Sequence, residues 1–176
     1  MQELLQFTYP RSAEAVLAMF RDPAYITRKH AQMRQRNIRI LDAVDRPERY
    51  RLSVRRDAKG LLPDSVPEFA QKFLEGRISG IVTTIEWDLT DPSLYIGKNS
   101  IQLEGMPLQA HIDYWLLPQG SKCLHRQLMH ARVDVPVVGG RLEVFAMDAM
   151  RNIQSRDYEY NLGFLRQSNP SFTESL

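Results

Sequence analysis

The sequence predicts an α+β protein: a curved, seven-stranded antiparallel sheet closed by one long C-terminal helix, with two short helices after the first strand. Three observations predict it. Alternating apolar and polar runs dominate the chain between Met33 and Val135. Two helix-start signals stand in tandem at Ser12 and at Asp22-Pro23. After Pro136, the segment VPVVGGRLEVFAMDAMRNIQSRDYEYNLGFLRQ has helical periodicity and no further proline. A sheet with an apolar face must bury it against another layer, and this helix is the longest candidate cover.

Each element has a local cause. Leu4 to Tyr9 alternates and stops at Pro10, as a first strand should. Ser12 caps a helix over AEAVLAMF, with Glu14 in its first turn. Asp22 caps a second helix that opens on Pro23 and runs to about Gln32. Asn37 to Val44 and Tyr50 to Arg56 flank the turn DRPE, whose loop length leaves the hairpin register open. In the second of these strands Tyr50, Leu52 and Val54 form an apolar face, and Arg49, Arg51 and Arg55 a basic one. KGLLPDSVP is punctuated as a mobile loop that could gate a cavity, and VPEFAQKFLEG as a short helix ended by Gly76.

Arg77 to Leu89 pairs with Tyr95 to Gly105 across TDPS. That register puts Ile81, Ile85, Trp87, Tyr95, Ile101 and Leu103 on one face, and Glu86 near Lys98 on the other. Leu108 to Leu117 pairs with Lys122 to Val135 across PQGS. Leu108, Ala110, Ile112, Tyr114 and Leu116 then share a face with Cys123, His125, Gln127, Met129, Ala131 and Val133. His111, Asp113, Lys122, Arg126 and His130 face solvent. Gly139-Gly140 lets the chain swing from strand to helix.

Length and composition bound the class. A chain of 176 residues suits one domain, expected over 1–168, with a flexible tail at 169–176. A net charge of +2 is too mild to argue for nucleic acid. The segment from Arg28 to Lys59 holds eleven Arg or Lys against four Asp or Glu. Little aromatic residue is interleaved there, so a solvated sheet face is preferred over a phosphate-binding one. One cysteine, Cys123, excludes an internal disulfide framework and suits a reducing, cytoplasmic setting. The first residues lack a signal-peptide pattern, and no apolar run approaches the ~20 residues that span a bilayer.

The order of elements resembles the START-like or Bet v 1-like superfamily, the helix-grip fold also known as SRPBCC. FTYPRSAEAVLAMFRDPAYI resembles the family's strand, short helix and Asp-Pro restart. VPVVGGRLE and GRISGIVTTIEWDL resemble an uncharacterised bacterial branch, a domain of unknown function. The resemblance covers nearly the whole chain. It implies an apolar cavity under the long helix, which members use for lipids, polyketides, hormones or aromatic intermediates. Other members serve as protein-binding modules, and fold alone does not choose among these uses.

On the long helix, Leu142, Phe145, Ala146, Ala149, Ile153, Tyr160 and Phe164 form one apolar stripe. Arg156 and Asp157 interrupt its edges, either facing the cavity or sitting solvated at its rim. A second stripe, Val144, Met147, Tyr158, Leu162 and Leu165, packs on neighbouring elements or supports a homodimer. Tyr114, His125 and Gln127 supply convergent polar groups on the inward sheet face. An acid/base pair of Tyr114 and His125 is the sharper reading, and a satisfied core histidine the plainer one. Cys123 and His125 stand about 7 Å apart along one strand, too far for a nucleophile and its base. No metal-ligand spacing and no phosphate loop is present, so neither metal nor cofactor is expected.

The leading expectation is a hydrophobic small molecule or lipid held between sheet and helix. The ligand-contacting candidates are Trp87, Leu103, Tyr114, His125, Gln127, Ile153, Arg156, Asp157 and Tyr160. A cyclase or dehydratase using the same cavity is the alternative, as is an interaction module using the back of the helix. No nucleic-acid partner and no integral membrane association are expected.

Overall fold

The computed structural model describes residues 1–57, 68 and 78–167. The expected loop over 59–67, the short helix around 66–76 (except Glu68) and the tail lie outside the described residues.

The elements follow in the order β1 (Gln2–Tyr9), α1 (Ala13–Phe20), α2 (Pro23–Gln32), β2 (Arg39–Arg46), β3 (Arg49–Asp57), β4 (Gly80–Asp88), β5 (Tyr95–Leu103), β6 (Leu108–Gln119), β7 (Lys122–Val133) and α3 (Gly139–Gln167). The seven strands form one antiparallel sheet in the order β1-β7-β6-β5-β4-β3-β2. The first strand therefore pairs with the last, and β1 and β2 are its edges. Both short helices start where their caps predict. The Ser12 hydroxyl accepts from Ala15 N–H at 3.3 Å, and the Asp22 carboxylate from Ala24 N–H at 2.9 Å.

Sheet register follows the apolar pattern. Glu86 faces Lys98 and Trp87 faces Gly97 across β4 and β5. Tyr114 faces Gln127 and Leu116 faces His125 across β6 and β7. Glycine is required at 97, because a Cβ there would stand 2.6 Å from the Trp87 ring. The ring lies over the strand, between Phe20 at 6.0 Å and Tyr114 at 5.6 Å. In the β2–β3 hairpin Arg46 pairs with Arg49, so Pro47 and Glu48 make the turn. The register shifts between Ile40 and Asp42, and this bulge on an edge strand leaves Leu41 exposed.

Two sequence expectations need correction. The last strand ends at Val133, not Val135, and the helix begins at Gly139. The chain swings at Val137, whose φ of 67° places a β-branched residue in the left-handed region. Gly139 instead provides clearance, since a Cβ there would lie 2.6 Å from the Val133 carbonyl oxygen. The second stripe of α3 is largely covered within the chain. Met147 and Leu165 are buried, and Tyr158 stacks on Phe7 of β1 at 4.6 Å while donating to the Thr8 carbonyl. Tyr158 is thus engaged by β1.

Candidate ligand cavity

A cavity lies between the inward sheet face and α3. The space open to the centre of a water-sized sphere is about 180 Å³, where one water needs roughly 10–15 Å³. Its wall draws on β3 to β7, on α1 and α2, and on α3. The N-terminal half of α3 contributes apolar side chains: Leu142, Phe145, Ala146, Ala149 and Ile153. Ile101, Leu103 and Leu108 add to the apolar wall from β5 and β6.

Among the sequence-predicted residues, Trp87, Leu103, Tyr114, His125, Gln127, Ile153 and Asp157 line this one cavity. Arg156 and Tyr160 do not. Arg156 is exposed, and Tyr160 turns towards α2, where its ring meets Tyr25 at 5.9 Å. Phe164 makes the same turn, 4.6 Å from Tyr25. Below Ile153 the cavity-facing residues are Gln154, Asp157, Tyr158 and Asn161 instead. Alpha-helical spacing permits either set, and the position of α2 decides between them.

The polar wall is unusually well buried. Lys29 of α2 donates to Asp157 at 2.7 Å across the cavity edge. Asn161 accepts from the Tyr25 hydroxyl and donates to the Tyr9 hydroxyl at 2.9 Å. Burial, above all, raises the pKa of both tyrosines, so their protons stay on. Gln127 Nε2 lies 3.2 Å from His125 Nδ1. An amide N–H only donates, so Nδ1 accepts and the neutral ring carries its proton on Nε2. That Nε2 and the Gln127 carbonyl oxygen have no hydrogen-bond partner among the described residues.

Tyr114 and His125, the acid/base pair of the sharper reading, are not hydrogen-bonded to each other. Their ring centroids are 5.1 Å apart, and the Tyr114 hydroxyl accepts instead from Asn99 Nδ2 at 3.3 Å. Burial, with Lys29 second, pushes the His125 imidazole down to about 3. Burial also moves the Tyr114 phenol upwards. A weak base and a weaker acid result, a poor pair for proton transfer near neutrality. Burial likewise raises the Cys123 thiol to about 12, which keeps it inert.

Sequence reasoning missed Lys29, His30, Gln35, Arg56, Asn99, Gln154 and Asn161, all on the cavity wall. For Arg56 a signal existed: period-two alternation continues Tyr50, Leu52 and Val54 to position 56.

The outer face behaves differently. Its arginine ladder is matched by acids: Arg49 reaches Glu86 at 2.9 Å, Arg51 reaches Glu86 at 3.3 Å, and Arg55 grips Glu104 at 2.7 and 2.9 Å. The outward histidines form a cluster of their own. Cross-strand pairing stacks His111 on His130 at 4.2 Å, with Asp113 3.0 Å from His130 Nε2. One ligand atom from each lies within 4.8 Å of the others, a grouping with metal-ligand chemistry that linear spacing hides. It lies on the opposite sheet face from the cavity.

A family model described as "Protein of unknown function (DUF2505)" matches residues 5–165. The chain belongs to this family. No curated protein matches it. Among solved structures it resembles a START superfamily protein from Mycobacterium smegmatis, with TM-score 0.53 and 14% identity over 96% of this chain and 99% of that one. It also resembles a protein from Thermus thermophilus, TTHA0849, with TM-score 0.56 and 13% identity over 92% and 94% of the two chains. Ara h 8.0201 matches with TM-score 0.54 and 16% identity over 96% and 99%. These likenesses establish the START-like, Bet v 1-like fold for this DUF2505 chain. No helix among the described residues is long and apolar enough to cross a membrane.

Proposed function

We propose that this protein binds a hydrophobic small molecule or lipid between the sheet and α3. The observation that carries the reading is the cavity itself, with an apolar wall on the N-terminal half of α3 and buried polar groups opposite. Binding would draw on burial of apolar ligand surface, about 25 cal/mol per Å² before ordering costs. Trp87, Leu103, Tyr114, His125, Gln127, Ile153 and Asp157 are the proposed contacts. The depressed basicity of His125 and the engaged Tyr114 hydroxyl favour binding over acid/base catalysis.

Native mass spectrometry of freshly purified protein tests the reading. The expected result is an adduct of small-molecule mass that organic extraction removes. Protein that carries no adduct, and takes up neither 1-octanol nor octanoate after extraction, would count against it.

A further inference from the structure

Arg56 closes the inward row of β3, lines the cavity and is only 7% exposed. Its Nη1 donates to the Thr83 hydroxyl at 2.8 Å, while its Nε has no hydrogen-bond partner among the described residues. No carboxylate among the described residues pairs with it. Lys29, the other cation on this wall, is already neutralised by Asp157 at 2.7 Å. Burial lowers the Arg56 pKa to about 10, which leaves it charged at neutral pH. His30, also on the wall, is driven to about 2 by burial, then by Arg56 and Lys29, and stays neutral.

The ionised groups on the described wall are therefore two cations and one anion. A buried guanidinium without a carboxylate is costly, and an incoming anion offsets that cost. The guanidinium fork matches a planar carboxylate, which it can hold through two parallel N–H bonds. One uncompensated positive charge suits a monoanion. A phosphomonoester dianion would bring a second charge for which the described wall has no free cation. Leu103, Leu142, Phe145 and Ala149 give the same cavity an apolar wall.

We propose that the cavity selects an amphipathic monocarboxylate, its carboxylate held by Arg56 and its apolar body against the N-terminal half of α3. This deepens the ligand-binding reading and rests on it. Octanoate and 1-octanol, which share a chain and differ in charge, separate the two claims by isothermal titration calorimetry at neutral pH. Wild-type protein is expected to bind octanoate roughly tenfold to a hundredfold more tightly than 1-octanol, the range for a hydrogen bond to a buried charge. Arg56→Gln should erase that preference, and Arg56→Lys should keep part of it. Equal affinity of the wild type for both probes overturns the carboxylate proposal and leaves the cavity reading standing. Binding of neither overturns both. If Arg56→Gln does not fold, the wild-type comparison alone decides.

Discussion

The two halves of α3 meet the sheet in different ways. From Leu142 to Ile153 the helix presents apolar side chains to the cavity, and Glu143 accepts from the Val133 N–H at 3.0 Å. From Gln154 to Leu165 it is latched. Asp157 holds Lys29, Tyr158 stacks on Phe7, and Asn161 bridges Tyr9 and Tyr25. A bidentate contact from Arg151 to Glu3, with Nε–Oε1 at 2.6 Å, marks the boundary between them. The contrast teaches that the buried polar partners of the helix gather at its C-terminal half, while the N-terminal half turns apolar side chains to the cavity.

Breaking the latch should have the largest effect. Asn161 is 3% exposed, and Asn161→Leu strands two buried hydroxyls. Urea unfolding should show a loss of about 2–4 kcal/mol, from desolvated groups left without partners. A loss below about 1 kcal/mol would mean that the latch contributes little.

Acid should come next, through the histidines on the cavity wall. The folded-state pKa of His125 lies near 3 and that of His30 near 2, both below the ordinary value of 6.5. The unfolded chain therefore binds more protons below pH 6.5, so stability is full above that value and falls as pH drops towards the folded pKa values. Each histidine contributes a slope of up to about 1.4 kcal/mol per pH unit in that window. Unfolding midpoints compared at pH 7 and pH 5 should shift in the wild type and shift less in His125→Gln. An equal shift in both would show that His125 plays no part in the acid response.

The fold was legible where the causes are local or strictly periodic. Ser12, Asp22 and Pro23 announce two helices within one residue, and alternation fixes the β4–β5 and β6–β7 registers because a one-residue slip would expose every apolar side chain. The cavity's apolar members followed from the same alternation and from the first stripe of α3. Its polar members did not. Arg56, Lys29 and Asn161 are types usually found in water, and their burial depends on partners from distant elements. Tyr160 stays off the cavity wall for a similar reason: periodicity gives a helix face, but the nearness of Tyr25 decides which neighbour it meets.

The entrance to the free half of the helix offers a smaller effect of opposite sign. Val137 holds a φ of 67° and is fully exposed. Val137→Gly should relieve the left-handed strain and raise stability by about 1 kcal/mol, read as a higher melting temperature. A lower melting temperature would show that the valine side chain contributes something its exposure does not reveal.

The most direct test fills the free half while leaving the latch alone. Ala149 lines the cavity on the apolar stretch of α3, so Ala149→Phe should occupy ligand space without displacing Asn161 or Asp157. Titration calorimetry with 1-octanol, paired with a thermal melt, reads both halves at once. Binding is expected in the wild type and lost in Ala149→Phe, with nearly equal melting temperatures. Undiminished 1-octanol binding in the filled variant would contradict this, because the ligand would then lie somewhere other than beneath the free half of α3.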